Sequence, residues 1–207
     1  MSVIKLAIAL IVAGLGTAAQ LPELRTEPIG GGSVFFVKNT SPQPLTAFLI
    51  ELVGYPGSSY SLWQDEITAT PLAPGAEKRI QVTNMTAGAV PDYMKIQAAI
   101  YADGSTAGVP EKVAQFIERR KAVLETTREL IRRLEKGATA ADLKQWADTL
   151  RPEGKVKANS QPVINQSASR GLIMDAETYL NANGTESTLK HLRASEKSLV
   201  ASKPVLN

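Results

Sequence analysis

The sequence contains no cysteine, which removes disulfides, thiolate nucleophiles and cysteine metal sites in any compartment. It contains one histidine, His191, set among Lys190 and Arg193. A metal centre needs several convergent donors and a triad needs an oriented base, so neither is expected around a lone histidine, and no cofactor is expected. No G-x-S-x-G elbow is present; Ser187 to Lys190 matches S-x-x-K, but without the S-D-N and K-T-G partners that give the motif meaning. Aromatics make up only 5% of the residues, and no basic stripe is interleaved with them, which argues against specific nucleic-acid binding. Beyond the first twenty residues no apolar run is long enough to span a membrane.

What is present fits a globular chain: 207 residues, 43% hydrophobic and 21% charged. Lys5 precedes the apolar run Leu6 to Leu15, and Gly16-Thr17-Ala18-Ala19 offers small residues for cleavage before Gln20. Residues 1–19 therefore read as a signal peptide, and uncut the run falls short of the roughly 20 residues a spanning helix needs. A cysteine-free exported chain suits a secreted or periplasmic place in a bacterial envelope. The net charge of +3 conceals an asymmetry. From Gln20 to Gly104 five lysines and arginines face eight acids, and from Ser105 onward seventeen face twelve. Because the signs alternate along the helical part, this reads as a solvated face.

The strongest periodic signal follows Ile96, where an alternating strand passes through Asp103-Gly104 into an amphipathic helix from Pro110 to Lys136. Val113, Phe116, Ile117, Leu124 and Ile131 fall on one side and form a candidate interface, toward either the chain's own sheets or another molecule. Pro110 suits the first turn, Glu111 the positive end of the dipole, Arg132 and Arg133 the negative end, and Gly137 the stop. Arg120 and Thr127 share the seven-residue register of Val113 and Leu134, interrupting the seam as a self-pairing coiled coil rarely would. Thr139 and Asp142 then form a capping-box start for a second helix, halted by Pro152.

Ahead of the helix the chain reads as short strands separated by turns: Ser33 to Asn39, Leu45 to Val53, Leu62 to Thr68, Glu77 to Thr83 and Met94 to Ala102. Alternation places Thr46, Phe48, Ile50 and Leu52 on one face of the second, and Ile96, Ala98 and Ile100 inward in the last. Residues 20–32, with two prolines and three consecutive glycines, read as a flexible leader. Past the helices, residues 153–207 read as a polar linker and a weakly helical tail, with helices near Leu172 to Leu180 and Ser187 to Ala201.

Val37-Lys38-Asn39 with a following Ser-Pro, Leu72-Ala73-Pro74-Gly75 before an alternating strand, and the closing Tyr101-Ala102-Asp103-Gly104 resemble small immunoglobulin-like sandwiches of bacterial exported proteins. The run Asp103 to Gly108 into an Arg-rich helix resembles, more narrowly, a group of uncharacterised secreted bacterial proteins. The resemblance covers about residues 33–137 and implies a fold, not an activity. It lacks the Cys, Trp, Cys set of antibody domains.

The expected architecture is α+β: an immunoglobulin-like antiparallel β-sandwich over 33–104, a long helix and a short second helix over 105–152, then the tail. The expected function is a non-enzymatic binding or interaction module of the cell envelope, with a protein or glycan partner and an open oligomeric state. Tyr55, Tyr60 and Trp63, gathered about a Pro-Gly-Ser loop, are the candidate binding residues. Asp65, Glu66, Asp92 and Asp103 carry the alternative of a carboxylate-dependent hydrolase, and the helix seam that of a self-associating structural protein.

Overall fold

The computed structural model describes residues 19–83, 91–151 and 160–206. The expected signal peptide, apart from Ala19, and the halting Pro152 lie outside the described residues. Two antiparallel sheets are followed by helices. The first sheet has the order β1-β2-β5, from Glu23–Ile29, Gly32–Lys38 and Glu77–Val82; the second has β4-β3-β6-β7, from Ser61–Asp65, Leu45–Leu52, Met94–Tyr101 and Thr106–Gly108. They share one core, in which Phe35 and Val37 of β2 meet Phe48 and Ile50 of β3 and Met94, Ile96 and Tyr101 of β6.

The expected leader is instead strand β1. Ile29 pairs with Gly32, so Gly30-Gly31 is a two-residue hairpin loop, and Gly31 takes φ 72°, a conformation glycine adopts without steric cost. The strand was hidden by Pro28, which a ladder tolerates on an edge, where β1 stands. Two further expectations fail through bulges. Leu45 pairs with Tyr101 and Ala47 with Ile100, so Thr46 is an extra residue; Leu49 pairs with Ala98 and Ile50 with Ile96, so Gln97 is another. Each inserted residue reverses the alternation of faces. Thr46 therefore leaves the face of Phe48, and Ala98 and Ile100 turn outward, away from the core that holds Ile96.

That outward face is covered by helix α1, Pro110–Glu135. Ala47, Leu49, Ala98 and Ile100 pack against its Phe116, with Val113 and Ile117 alongside. Strand β3, buried on both faces, accordingly reads as a nearly continuous apolar run. The other half of α1 joins a helical bundle, where Leu130, Ile131 and Leu134 pack with Leu143 and Ala147 of α2, Ala140–Thr149, and Ile173, Ala176 and Leu192 of α3, Gln161–Val200.

Helix α3 includes residues 161–169, expected as linker, and consists of two helices that meet at a kink at Gly184, with φ 76° and ψ 173°, inside the gap expected between residues 180 and 187. The Tyr179 and His191 rings stack with centroids 5.0 Å apart. Twelve residues of straight helix would separate them by about 18 Å, so the chain reverses at Gly184 into two antiparallel arms. Ile173 and Ala176 of the first arm and Leu192 of the second enter one cluster with α1 and α2. After the second arm the chain returns to the sheets, bringing the Lys203 carbonyl to α1.

Candidate functional site

Arg120 fastens the two regions. It is fully buried, and its guanidinium donates to both oxygens of Asp65, Nε to Oδ2 at 2.7 Å and Nη2 to Oδ1 at 2.9 Å. Nη2 also reaches Thr46 Oγ1 at 3.2 Å, and that hydroxyl donates to the Ile100 carbonyl at 2.9 Å; Nη1 donates to the Lys203 carbonyl at 3.3 Å. The residue that interrupts the apolar seam is thus a buried pin joining α1, two strands and the C-terminal segment. The Thr46 bulge gives it an acceptor on the helix side of the sheet.

Beside this pin lies a cleft of about 790 Å³ between β4, α1 and α3. Residues 59–61 and 63–65 line one side, Arg119 and Val123 of α1 the floor, and Ser167, Ala168, Gly171 and Asp175 of α3 the other side. Such a volume suits a small-molecule or short-segment ligand. Trp63 is fixed by an edge-on contact with Phe116, with centroids 5.1 Å apart, and burial pushes the Tyr60 phenol above its usual range. Arg119 makes no hydrogen bond or ion pair with the described residues. Burial holds its guanidinium below its usual value, Asp65 opposes that shift and Arg120 reinforces it. Both oxygens of the nearby carboxylate are already engaged by Arg120. The cleft therefore holds a partly desolvated cation whose obvious counter-ion is committed elsewhere.

Of the candidate binding residues, Tyr60 and Trp63 line this cleft, whereas Tyr55 is not among its lining residues and stands edge-on to Tyr93 at 5.2 Å. The three do not form one cluster. The candidate helix residues divide similarly: Phe116 packs on the second sheet, Ile131 in the bundle and Leu124 is buried, while Val113 and Ile117 line a separate groove of about 430 Å³ with Ala19 and Pro110. The seam therefore packs largely within its own chain.

The four candidate acids serve separate local roles. Asp65 binds Arg120, Glu66 pairs with Lys78, and Asp103 accepts from Ser105 N and Oγ in the β6–β7 turn. That pair of hydrogen bonds holds the Asp103 carboxyl below its ordinary range. Asp92 precedes β6 and Asp103 follows it, so the strand's length, about 25 Å, lies between them. His191 stacks on Tyr179, and Ser187 of the S-x-x-K match is exposed. Among the described residues no cluster of three or more histidines and acids is placed to hold a metal, and no helix is long and apolar enough to cross a membrane.

Sequence reasoning missed Arg119, whose only signal is its position one residue before Arg120, and the α3 wall, read partly as linker. The chain matches no family model, no curated protein and no solved structure.

Proposed function

We propose that this chain is an exported, non-enzymatic binding module of a bacterial cell envelope, and that it binds through the cleft between β4, α1 and α3. The observation that carries the reading is the cleft itself, in which Tyr60, a Trp63 ring held edge-on by Phe116 and a guanidinium without a partner among the described residues face a volume of ligand size. Its walls come from both regions of the molecule, the arrangement in which ligand sites commonly form. Binding is favoured over hydrolysis because, of the two acids lining the cleft, Asp65 has both oxygens occupied by Arg120, which leaves Asp175 without a second free carboxylate to work with.

An immunoglobulin-like fold accords with the strand order. If the seven strands are lettered A to G in sequence, the sheets are ABE and DCFG, which differs from the ABED and CFG of constant-type domains by the transfer of one edge strand. The envelope location rests on the N-terminal sequence.

The test is photocrosslinking in a bacterial envelope preparation, with the reactive group placed at Ser167 in the cleft or at Arg25 on the outer face of β1. A discrete product from position 167 and none from position 25 is the expected result. Equal products, or none from either, would overturn the proposal.

A further inference from the structure

We infer that the cleft takes an extended peptide segment, which pairs with the free edge of β4 and sets a carboxylate against Arg119. This rests on the binding reading above and names the partner's chemistry.

The edge is available by parity. Leu52 N donates to the Tyr60 carbonyl and Glu66 N to the Thr46 carbonyl, and the β3–β4 register is unbroken between them. In an antiparallel pair hydrogen-bonded residues alternate, so residues 60, 62, 64 and 66 turn their main chain toward β3. Ser61, Trp63 and Asp65 therefore turn their N–H and C=O groups away from it, to the side where β4 has no neighbouring strand among the described residues. Residues of both parities, 60, 61, 63, 64 and 65, line the cleft, as they must if the cleft lies off the strand's edge and not over one face.

The four edge strands differ in how they discourage such pairing. Edges are commonly blunted by charge, proline, bulges or brevity. Strand β1 carries Pro28 and the charges of Glu23, Arg25 and Glu27; β5 carries Glu77, Lys78 and Arg79; β7 has only three residues. Strand β4, Ser-Leu-Trp-Gln-Asp, has no proline and no bulge against β3, and its one charge is already bound to Arg120. It is the least protected edge, and it is the one that opens into a cleft. A five-residue partner strand would extend about 17 Å along it. The small side chains of Ser167 and Ala168 and the absence of one at Gly171 leave room on the opposite wall.

Charge complementarity selects the side chain. Asp65 is committed to Arg120, and Asp175 on the opposite wall makes no hydrogen bond or ion pair with Arg119, so an incoming carboxylate would complete the site with a charge-assisted hydrogen bond. Main-chain pairing would supply sequence-tolerant affinity and Arg119 a preference for acid, the division of labour expected of strand addition.

The test uses the full chain against an array of ten-residue peptides of balanced Asp, Glu, Asn and Gln content, alongside an array of acidic and neutral oligosaccharides. Peptide hits are remade with each acid changed to its amide, and with backbone N-methyl groups at every second residue in either parity. The expected result is at least tenfold weaker binding for N-methylation in one parity and little change in the other. Amide exchange should slow at Ser61, Trp63 and Asp65. Changing acid to amide should weaken binding at least tenfold on the native chain and not on Arg119→Gln. The peptide modifications leave the protein untouched, so they decide the matter even if that variant folds poorly. Indifference to N-methylation in both parities, or equal binding of acid and amide peptides, would overturn the inference. Binding of acidic oligosaccharides alone would overturn the peptide partner while preserving a binding cleft, and silence on both arrays with no crosslink from position 167 would remove both readings.

Discussion

In the double sheet the wholly buried side chains are many and large, Phe35, Phe48, Leu45, Ile50 and Tyr101 among them; in the helical bundle, among the described residues, Leu130, Leu143 and Ile173 reach that degree, with Leu199, Leu134 and Leu192 close behind. The sheets close a core between themselves, while the bundle borrows part of its core from α1. That helix belongs to both regions, with Phe116 on the sheet and Leu134 in the bundle, so the more weakly packed region is stabilised through an element anchored in the stronger one. Arg120 sits near the middle of this element, where the two packings meet. The site follows from the same inequality, because a bundle leaning against a sheet through one helix and one buried pin leaves space beside the pin.

Breaking the pin should have the largest effect. Arg120→Met leaves Asp65 largely buried without its partner and strands the Lys203 carbonyl, a loss of about 3 to 5 kcal/mol. The two tryptophans report the two regions separately, Trp63 on β4 and Trp146 on α2. In urea titrations of Trp63→Phe and Trp146→Phe backgrounds, the native pin should give coincident midpoints, and Arg120→Met should lower both and separate them, with the bundle unfolding first. Coincident midpoints in the variant would mean that the regions are coupled by some other contact.

Leu143→Ala sharpens the comparison from the other side. Leu143 is fully buried in the bundle and makes no part of the sheet core, so its truncation should cost about 3 kcal/mol. With the native pin both midpoints should fall together, whereas in the Arg120→Met background the Trp146 midpoint should fall and the Trp63 midpoint should hold. An equal shift of both in that background would show one cooperative unit.

Within the double sheet, Tyr101→Phe removes the hydroxyl that donates to the Gln20 carbonyl, a loss of about 1 kcal/mol. Burial raises the Tyr101 phenol from 10.0 to about 12, so folding favours the protonated ring. Its contribution is complete below pH 10 and is lost as the pH rises from 10 to about 12. Urea midpoints read through Trp63 should therefore fall more steeply across that window in the native chain than in Tyr101→Phe. Parallel pH profiles would show that the phenol ionises as freely in the folded state as in the unfolded one.

How much of this was legible in the sequence varies with how local the cause is. Helix α1 and the start of α2 are written in neighbouring residues, Pro110 and Glu111 at one end and Thr139 with Asp142 at the other, and both elements form where those signals stand. The strand faces are less local, since the Thr46 and Gln97 bulges reverse alternation without changing composition. Strand β1 carries the punctuation of a leader, yet Pro28 and the glycines are the residues an edge strand and a tight hairpin can hold. For the cleft, the aromatics Tyr60 and Trp63 stood out, but Arg119 is one of many basic residues in a charged helix. Only the third dimension shows that its neighbour has taken the nearby carboxylate.

The smallest expected effect tests whether the bundle's local signals stabilise it independently of the sheets. Thr139 Oγ1 accepts from Asp142 N at 3.3 Å, and the Asp142 carboxylate accepts from Thr139 N at 2.8 Å and from its hydroxyl at 2.7 Å. Thr139→Ala should cost about 0.5 kcal/mol, the low end for a cap at an exposed helix start. The backbone and side-chain hydrogen bonds from Thr139 hold the Asp142 carboxyl below its usual 3.8, so the folded state favours the ionised form. That contribution is present above pH 3.8 and disappears as the pH falls through the lowered value. In the Arg120→Met background Asp142→Asn should therefore flatten the acid limb of the Trp146 unfolding profile and leave the Trp63 profile in place. If both limbs flatten together there, the cap stabilises the whole molecule through α1, and the bundle is inseparable from the sheets even without the pin.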